Sequence, residues 1–323
     1  MYVTTRLKRS KPLIRMVRPI ELTKDNLIYP IFIREDGMSN EIPSMKGQHY
    51  LSLEGSVDIC RKTVELGVPA VMIFTILERR NDDGTVALEH DNFNLEVFRR
   101  LKKAVSDDLV LISNVCLCTY TTDEACVYSK GGKVLNEETS VMLGKIAVVH
   151  AQAGADVIAP AAMVDGQVKH IREALDNEGF DDIPIMSYIK ADSCLFQPYF
   201  KAMSSSIKPR VGVDSSKFRT DIINTGMFLK KIDLDAGEGA DILIIKPALT
   251  NLDIISLTKQ KYPTVSVAAY QVSGEYAMMK AAAEKGYLDG NAIMLETLNS
   301  IKRAGADMIL TYDALNVASL LSR

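Results

Sequence analysis

Cys116, Cys118 and Cys126 put three thiols within eleven residues. As thiolates they can hold one Zn2+ and leave its fourth position open, because no further Cys or His lies close by in sequence to fill it. A metal held in that way polarises a substrate oxygen or activates a water. The alternative is packing, since Cys116 and Cys118 lie two apart and share one face of an extended chain as small apolar groups. Including Cys126 favours the metal. The second chemical candidate is an amine. The run Asp241-Ile242-Leu243-Ile244-Ile245-Lys246-Pro247 reads as a strand buried on both faces that ends on a lysine for which packing gives no reason. An amine partly removed from water loses its proton more readily, and the neutral form attacks carbonyls. A lysine reaching from a strand end to the surface is an equally open reading of Lys246. A second lysine, Lys190, follows the strand-like Ile183 to Tyr188. On spacing alone it reads as a solvated loop residue, although in a barrel both amines would project into one mouth and depress each other's pKa.

The elements that must position these groups are legible from a repeated junction. Gly67 before Val71 to Phe74, Gly154 before Val157-Ile158, Gly239 before Ile242-Leu243 and Gly305 before Met308 to Leu310 each follow a helical pattern and precede an apolar run. Glycine there supplies the left-handed helix C-cap that turns the chain into the next parallel strand. Further strands are expected at 109–113, 183–188 and 264–270, with 210–214 as a weakly patterned eighth. The strand at 109–113, second in the expected barrel, leads into the thiols through Ser113-Asn114-Val115. A helix over 165–175, with Asp165 capping its first turn, is expected from the stripe Val168, Ile171 and Leu175. Gly274 to Lys285 and Ala292 to Arg303 read similarly. The alternation, without a linker between halves, points to a (β/α)8 TIM barrel. The open doubly wound sheet is the alternative, weakened by the absence of a Gly-rich phosphate loop.

Composition sets the class. A chain of 323 residues, 47% hydrophobic, has enough apolar material for one barrel-sized core. A net charge of -3 leaves no electrostatic footprint for nucleic acid, and no apolar run has the length to span a bilayer. No secretory pattern stands at the N-terminus, so the chain is expected to be cytoplasmic with its five cysteines reduced. Cys60 and Cys194 read as packing residues, and His49, His90, His150 and His170 as surface or core residues. Residues 1–25 read as a basic arm, carrying Arg6, Lys8, Arg9, Lys11, Arg15 and Arg18 with no acidic residue among the first 20, and 26–323 as the barrel. A serine-rich basic stretch at about 201–218 is a candidate active-site lid or a plain surface loop.

Cys116-Leu117-Cys118-Thr119-Tyr120 with Cys126, Ile244-Ile245-Lys246-Pro247-Ala248, Ala269 to Met278, and Ser300 to Asp307 together resemble the porphobilinogen synthase family, also called 5-aminolevulinate dehydratase. The resemblance runs nearly end to end and includes the basic arm and the Ile28 to Phe32 opening of the barrel. It implies a barrel enzyme, usually a homo-octamer of arm-hugging dimers, that condenses two 5-aminolevulinate molecules to porphobilinogen with loss of two waters. By that resemblance Lys246 forms a Schiff base with the substrate supplying the propionate side, Ser273 and Tyr312 bind its carboxylate, and the three cysteines hold Zn2+. Lys190 would be the second lysine, although it lies two residues beyond the Ser187-Tyr188 pair where the family has three. Asn114 replaces an aspartate. Lys201 stands for a lid arginine, Arg210 for a second, and the glutamine that often follows has no counterpart. An acidic residue used by magnesium-activated members falls at Lys231. These departures keep two alternatives in view: a paralogue with imine chemistry at Lys246 but another second substrate, and a catalytically silent zinc-binding relative.

Overall fold

Eight parallel strands form the centre of the molecule: β1 Leu27–Arg34, β2 Ala70–Ile76, β3 Val110–Val115, β4 Val157–Pro160, β5 Met186–Lys190, β6 Ile242–Lys246, β7 Ser266–Gln271 and β8 Met308–Thr311. The computed structural model describes residues 3–203 and 214–322. Each strand but β4 pairs with the next in sequence, and β8 returns to β1 through Leu27 against Ile309. The remaining seam, β4 to β5, carries the parallel bridge Ile158 to Ile185 and a 3.1 Å bond from the Ile158 amide to the Pro184 carbonyl. The sheet therefore closes on itself as a (β/α)8 barrel. Continuous runs such as Ala70–Ile76, buried at every position, suit strands that face packed side chains within and helices without.

The eighth strand is β1, and not the 210–214 segment, of which 210–213 lie outside the described residues while Asp214 caps a short 3-10 turn. The thiols accordingly follow the third barrel strand. The four junction glycines behave as expected, with φ of 76° at Gly67, 105° at Gly154, 97° at Gly239 and 119° at Gly305. Asp165 does not cap the helix it precedes. That helix, Gln167–Asn177, starts after Gly166 at φ 83°, which turns the chain before the Asp165 side chain can reach back. The arm carries the helix Lys11–Met16, in which no residue is buried.

Inside the barrel, side chains of alternate residues fill the lumen. Tyr188 reaches across from β5 to Met72 on β2, its hydroxyl 2.7 Å from the sulfur. Ser187, its neighbour, faces the opposite way and bonds Asp235 and Gln167 in the helical layer. That alternation fixes the direction of everything at the C-terminal end of β5.

Candidate active site

Lys190 is the last residue of β5 and is paired in register with Lys246, the last residue of β6. It keeps the parity of Tyr188, so both amines enter the same mouth. Lys190 is 6% exposed, which overturns its reading as a solvated loop residue. Its amine donates to the Ala161 carbonyl at 2.6 Å. Lys246 is partly exposed and lies over three rings, 4.2 Å from the Tyr188 centroid, 5.0 Å from Tyr270 and 5.3 Å from Phe196. Burial holds the Lys246 amine well below the ordinary lysine range, and the Lys190 and Arg219 cations push it further the same way. Burial likewise lowers Lys190, which the cysteines partly offset.

The three thiols gather at the end of β3. Their sulfurs lie within 4.8 Å of one another, with Cys118 3.1 Å from Cys116, and no disulfide joins them. Contact with Cys116 and then Cys126, reinforced by burial, raises the Cys118 thiol well above its usual range. Three crowded sulfurs resist ionising together unless a cation compensates them. This donor set therefore suits a soft or borderline divalent metal. Behind the cluster, Tyr120 of the same loop and Asn94 each approach the Nε2 of His150 to 2.8 Å, and Ser113 meets its Nδ1 at 2.5 Å. His150 is a core residue that anchors the loop, and burial lowers its pKa to about 3. Cys60 is buried as expected, whereas Cys194 is exposed and is not a packing residue.

Ser273 and Tyr312 line the same pocket as the lysines and thiols. The Ser273 hydroxyl donates to the Leu195 carbonyl at 3.2 Å and accepts from the Tyr199 amide at 3.0 Å; the Tyr312 hydroxyl is 2.8 Å from that of Tyr270. Lys201 is exposed on the helix Gln197–Met203 and does not line the pocket, and Arg210 lies outside the described residues. Among the described residues, a cation that does line the pocket is Arg219, 7% exposed, among the rings of Phe196, Phe200 and Phe218. It bonds Asp192 at 3.2 Å, while the next residue, Thr220, donates its amide to the Lys190 carbonyl at 3.1 Å. Arg80 and Glu124 also line the pocket as an ion pair at 2.7 Å, and Asn114 does so beside the thiols. Sequence reading missed Arg80, Glu124 and Arg219. Arg80 had a signal, lying a few residues beyond the C-terminal end of a barrel strand. Glu124 had none, since the ion pair spans 44 residues.

The family model described as Delta-aminolevulinic acid dehydratase matches residues 2–320. The chain belongs to this family. Its relatives of that name include one from Methanothermus sociabilis, 43% identical over 311 residues covering 96% of this chain and 95% of the relative. Another, from Synechocystis sp., is 44% identical over 322 residues, covering 98% and 97%. Among solved structures, delta-aminolevulinic acid dehydratase (porphobilinogen synthase) from Toxoplasma gondii ME49, in complex with the reaction product porphobilinogen, superposes with a TM-score of 0.94 at 34% identity, over 99% of this chain and 91% of that one. Within the delta-aminolevulinic acid dehydratase family, the departure at Lys190 has a simple structural form. The strand runs two residues past Tyr188, so the lysine keeps an inward parity without a bulge.

Proposed function

We propose that the chain is a porphobilinogen synthase, a hydro-lyase that condenses two 5-aminolevulinate molecules and releases two waters. The observation that carries this reading is the register pairing of Lys190 with Lys246 in one pocket with the three thiols. Lys246, whose amine burial and the neighbouring cations depress, attacks the ketone carbon of the substrate that supplies the propionate side; a C–N bond forms and water leaves. Ser273 and Tyr312 receive that substrate's carboxylate, the Ser273 hydroxyl exchanging its backbone partners for the ligand. Lys190 forms the corresponding imine with the second substrate. The carboxylate of the second substrate goes to Arg219, whose guanidinium offers the planar, bidentate recognition that a lysine at 201 lacks. Arg210 remains a lid candidate.

Cys116, Cys118 and Cys126 would hold Zn2+, which when bound supplies Lewis acidity toward a substrate oxygen or amine. We assign residues 1–25 as a basic arm and 26–323 as the barrel; the expected lid, about 201–218, lies largely outside the described residues, at 204–213. We assign the assembly as a homo-octamer of arm-hugging dimers and the setting as cytoplasmic, with the pathway toward haem and other tetrapyrroles. No helix among the described residues is long and apolar enough to cross a membrane.

Incubation of the purified protein with 5-aminolevulinate, followed by a pyrrole assay, tests the activity, and borohydride reduction with peptide mapping tests the residues. Porphobilinogen formation and modification of Lys246 are expected. Absence of pyrrole from metal-loaded protein would refute the activity. Chelation of the metal is expected to remove it reversibly.

A further inference from the structure

Glu275 is a fully buried carboxyl that the imine chemistry does not use. It is the third residue of the helix Ser273–Glu284 and accepts from the Val272 amide at 2.5 Å, which closes the first turn as a capping box does. Its other bonds leave the helix. The Leu249 amide donates to Oε1 at 2.6 Å and the Ala248 amide to Oε2 at 3.4 Å. Ala248 and Leu249 follow Lys246-Pro247 directly, and Val272 immediately precedes Ser273. One carboxylate thus joins the backbone just past the imine lysine to the backbone just before the carboxylate-binding serine. Among the described residues no lysine or arginine forms an ion pair with it, so backbone amides alone compensate a charge that burial opposes. A helix cap needs only the first of these bonds.

We propose that Glu275 is a positioning residue that sets the span between the Lys246 amine and Ser273, and thereby the length of keto acid the site accepts. The proposal rests on the imine reading above. A substrate held at its carboxylate by Ser273 and Tyr312 presents its ketone to Lys246 only if the intervening carbons match that span. If the two loops were free to drift, the site would still bind and still form imines, but without measuring chain length.

The test is borohydride trapping at Lys246 with 4-oxopentanoate and with 5-oxohexanoate, one carbon longer, in wild type and Glu275→Gln. Glutamine can still serve as the third residue of a capping box, but its amide group places a donor against the Leu249 amide, so the variant opens the link between loops selectively. Wild type is expected to trap 4-oxopentanoate at least about 10-fold faster than the longer acid. In Glu275→Gln the rate with 4-oxopentanoate falls about 10-fold to 100-fold and the ratio between the acids moves toward one. A folded variant with the wild-type rate and ratio overturns the positioning role and leaves the imine reading intact. Wild type that traps neither acid at Lys246 overturns the imine reading and this inference with it. Should Glu275→Gln not fold, Glu275→Asp, which keeps the charge and the cap on a shorter arm, is read by the same ratio with the same two outcomes.

Discussion

The two lysines differ in what surrounds them, and the difference makes a prediction about pH. Lys246 is depressed first by burial and then by the Lys190 cation, so its amine is free at a pH where an exposed lysine is protonated. Imine trapping at Lys246 should therefore fall on the acid side, as pH drops through its lowered pKa. Lys190→Met removes a neighbouring cation, which lets the Lys246 pKa rise and moves that acid limb to higher pH; Arg219→Met acts in the same sense, through the next cation in order of effect. Trapping rates measured across pH in the three proteins decide the matter, and a limb that stays put in both Lys190→Met and Arg219→Met would show that burial, and not the neighbouring cations, sets the Lys246 pKa. The sequence placed Lys246 at a strand end because four aliphatic residues precede it. For Lys190 the solvated loop reading stood ahead of the barrel mouth, because the apolar run reads as ending at Tyr188. Pairing with β6 carries the strand two residues further, and that extension turns the lysine inward.

At the scale of elements, seven strands were visible as apolar runs, four of them prefaced by a helix and a glycine, and the first strand of the barrel had no such preface. β1 follows an arm rather than a helix, and Pro30 interrupts a pattern that would otherwise read as a strand. Pro30 nonetheless sits opposite Met72 within the β1 to β2 register. The pocket's far wall was illegible for another reason: Arg219 and Glu124 reach the site through bonds to segments distant in sequence. Gly274 shows how tightly that wall is set. A Cβ there would lie 2.6 Å from the Leu195 carbonyl oxygen and 2.7 Å from its Cα, both backbone atoms that cannot swing aside. Gly274→Ala should push the Cys194–Phe196 turn outward, break the bonds of Ser273 to Leu195 and Tyr199, and cost about 1–3 kcal/mol. Gly237, with nothing within 4 Å of its Cβ position, is the control: alanine there should be neutral or slightly stabilising. Urea unfolding distinguishes the two, and a neutral Gly274→Ala would mean that the turn is free to yield.

At the scale of the whole molecule, the N-terminal segment presents a surface that a single chain does not explain. In the arm, Leu7 is 56% exposed, Met16 81% and Val17 46%, interleaved with Arg6, Lys8, Arg9, Lys11 and Arg15. Isolated exposed apolar residues need no explanation, but several in one extended basic segment with no buried residue in its helix call for a covering partner. In the proposed assembly the acidic remainder of a second copy would supply the opposite charge. Two contributions can then be separated. Charge attraction between exposed groups weakens as the Debye length falls to about 3 Å at 1 M salt, whereas apolar contact does not. Deletion of residues 1–19 should leave a folded barrel, because Leu22 and β1 begin the buried core beyond that point, but should lower the mass measured by light scattering. Leu7→Glu with Met16→Glu should lower it nearly as far, although the basic residues remain, and wild type should hold its mass in 1 M salt. Dissociation of wild type by salt with an unaffected double variant would assign the contact to charge. An unchanged mass after deletion would remove the arm from the assembly altogether. If the arm holds copies together, thermal stability should also rise with protein concentration in the full-length chain and lose that dependence in the deletion.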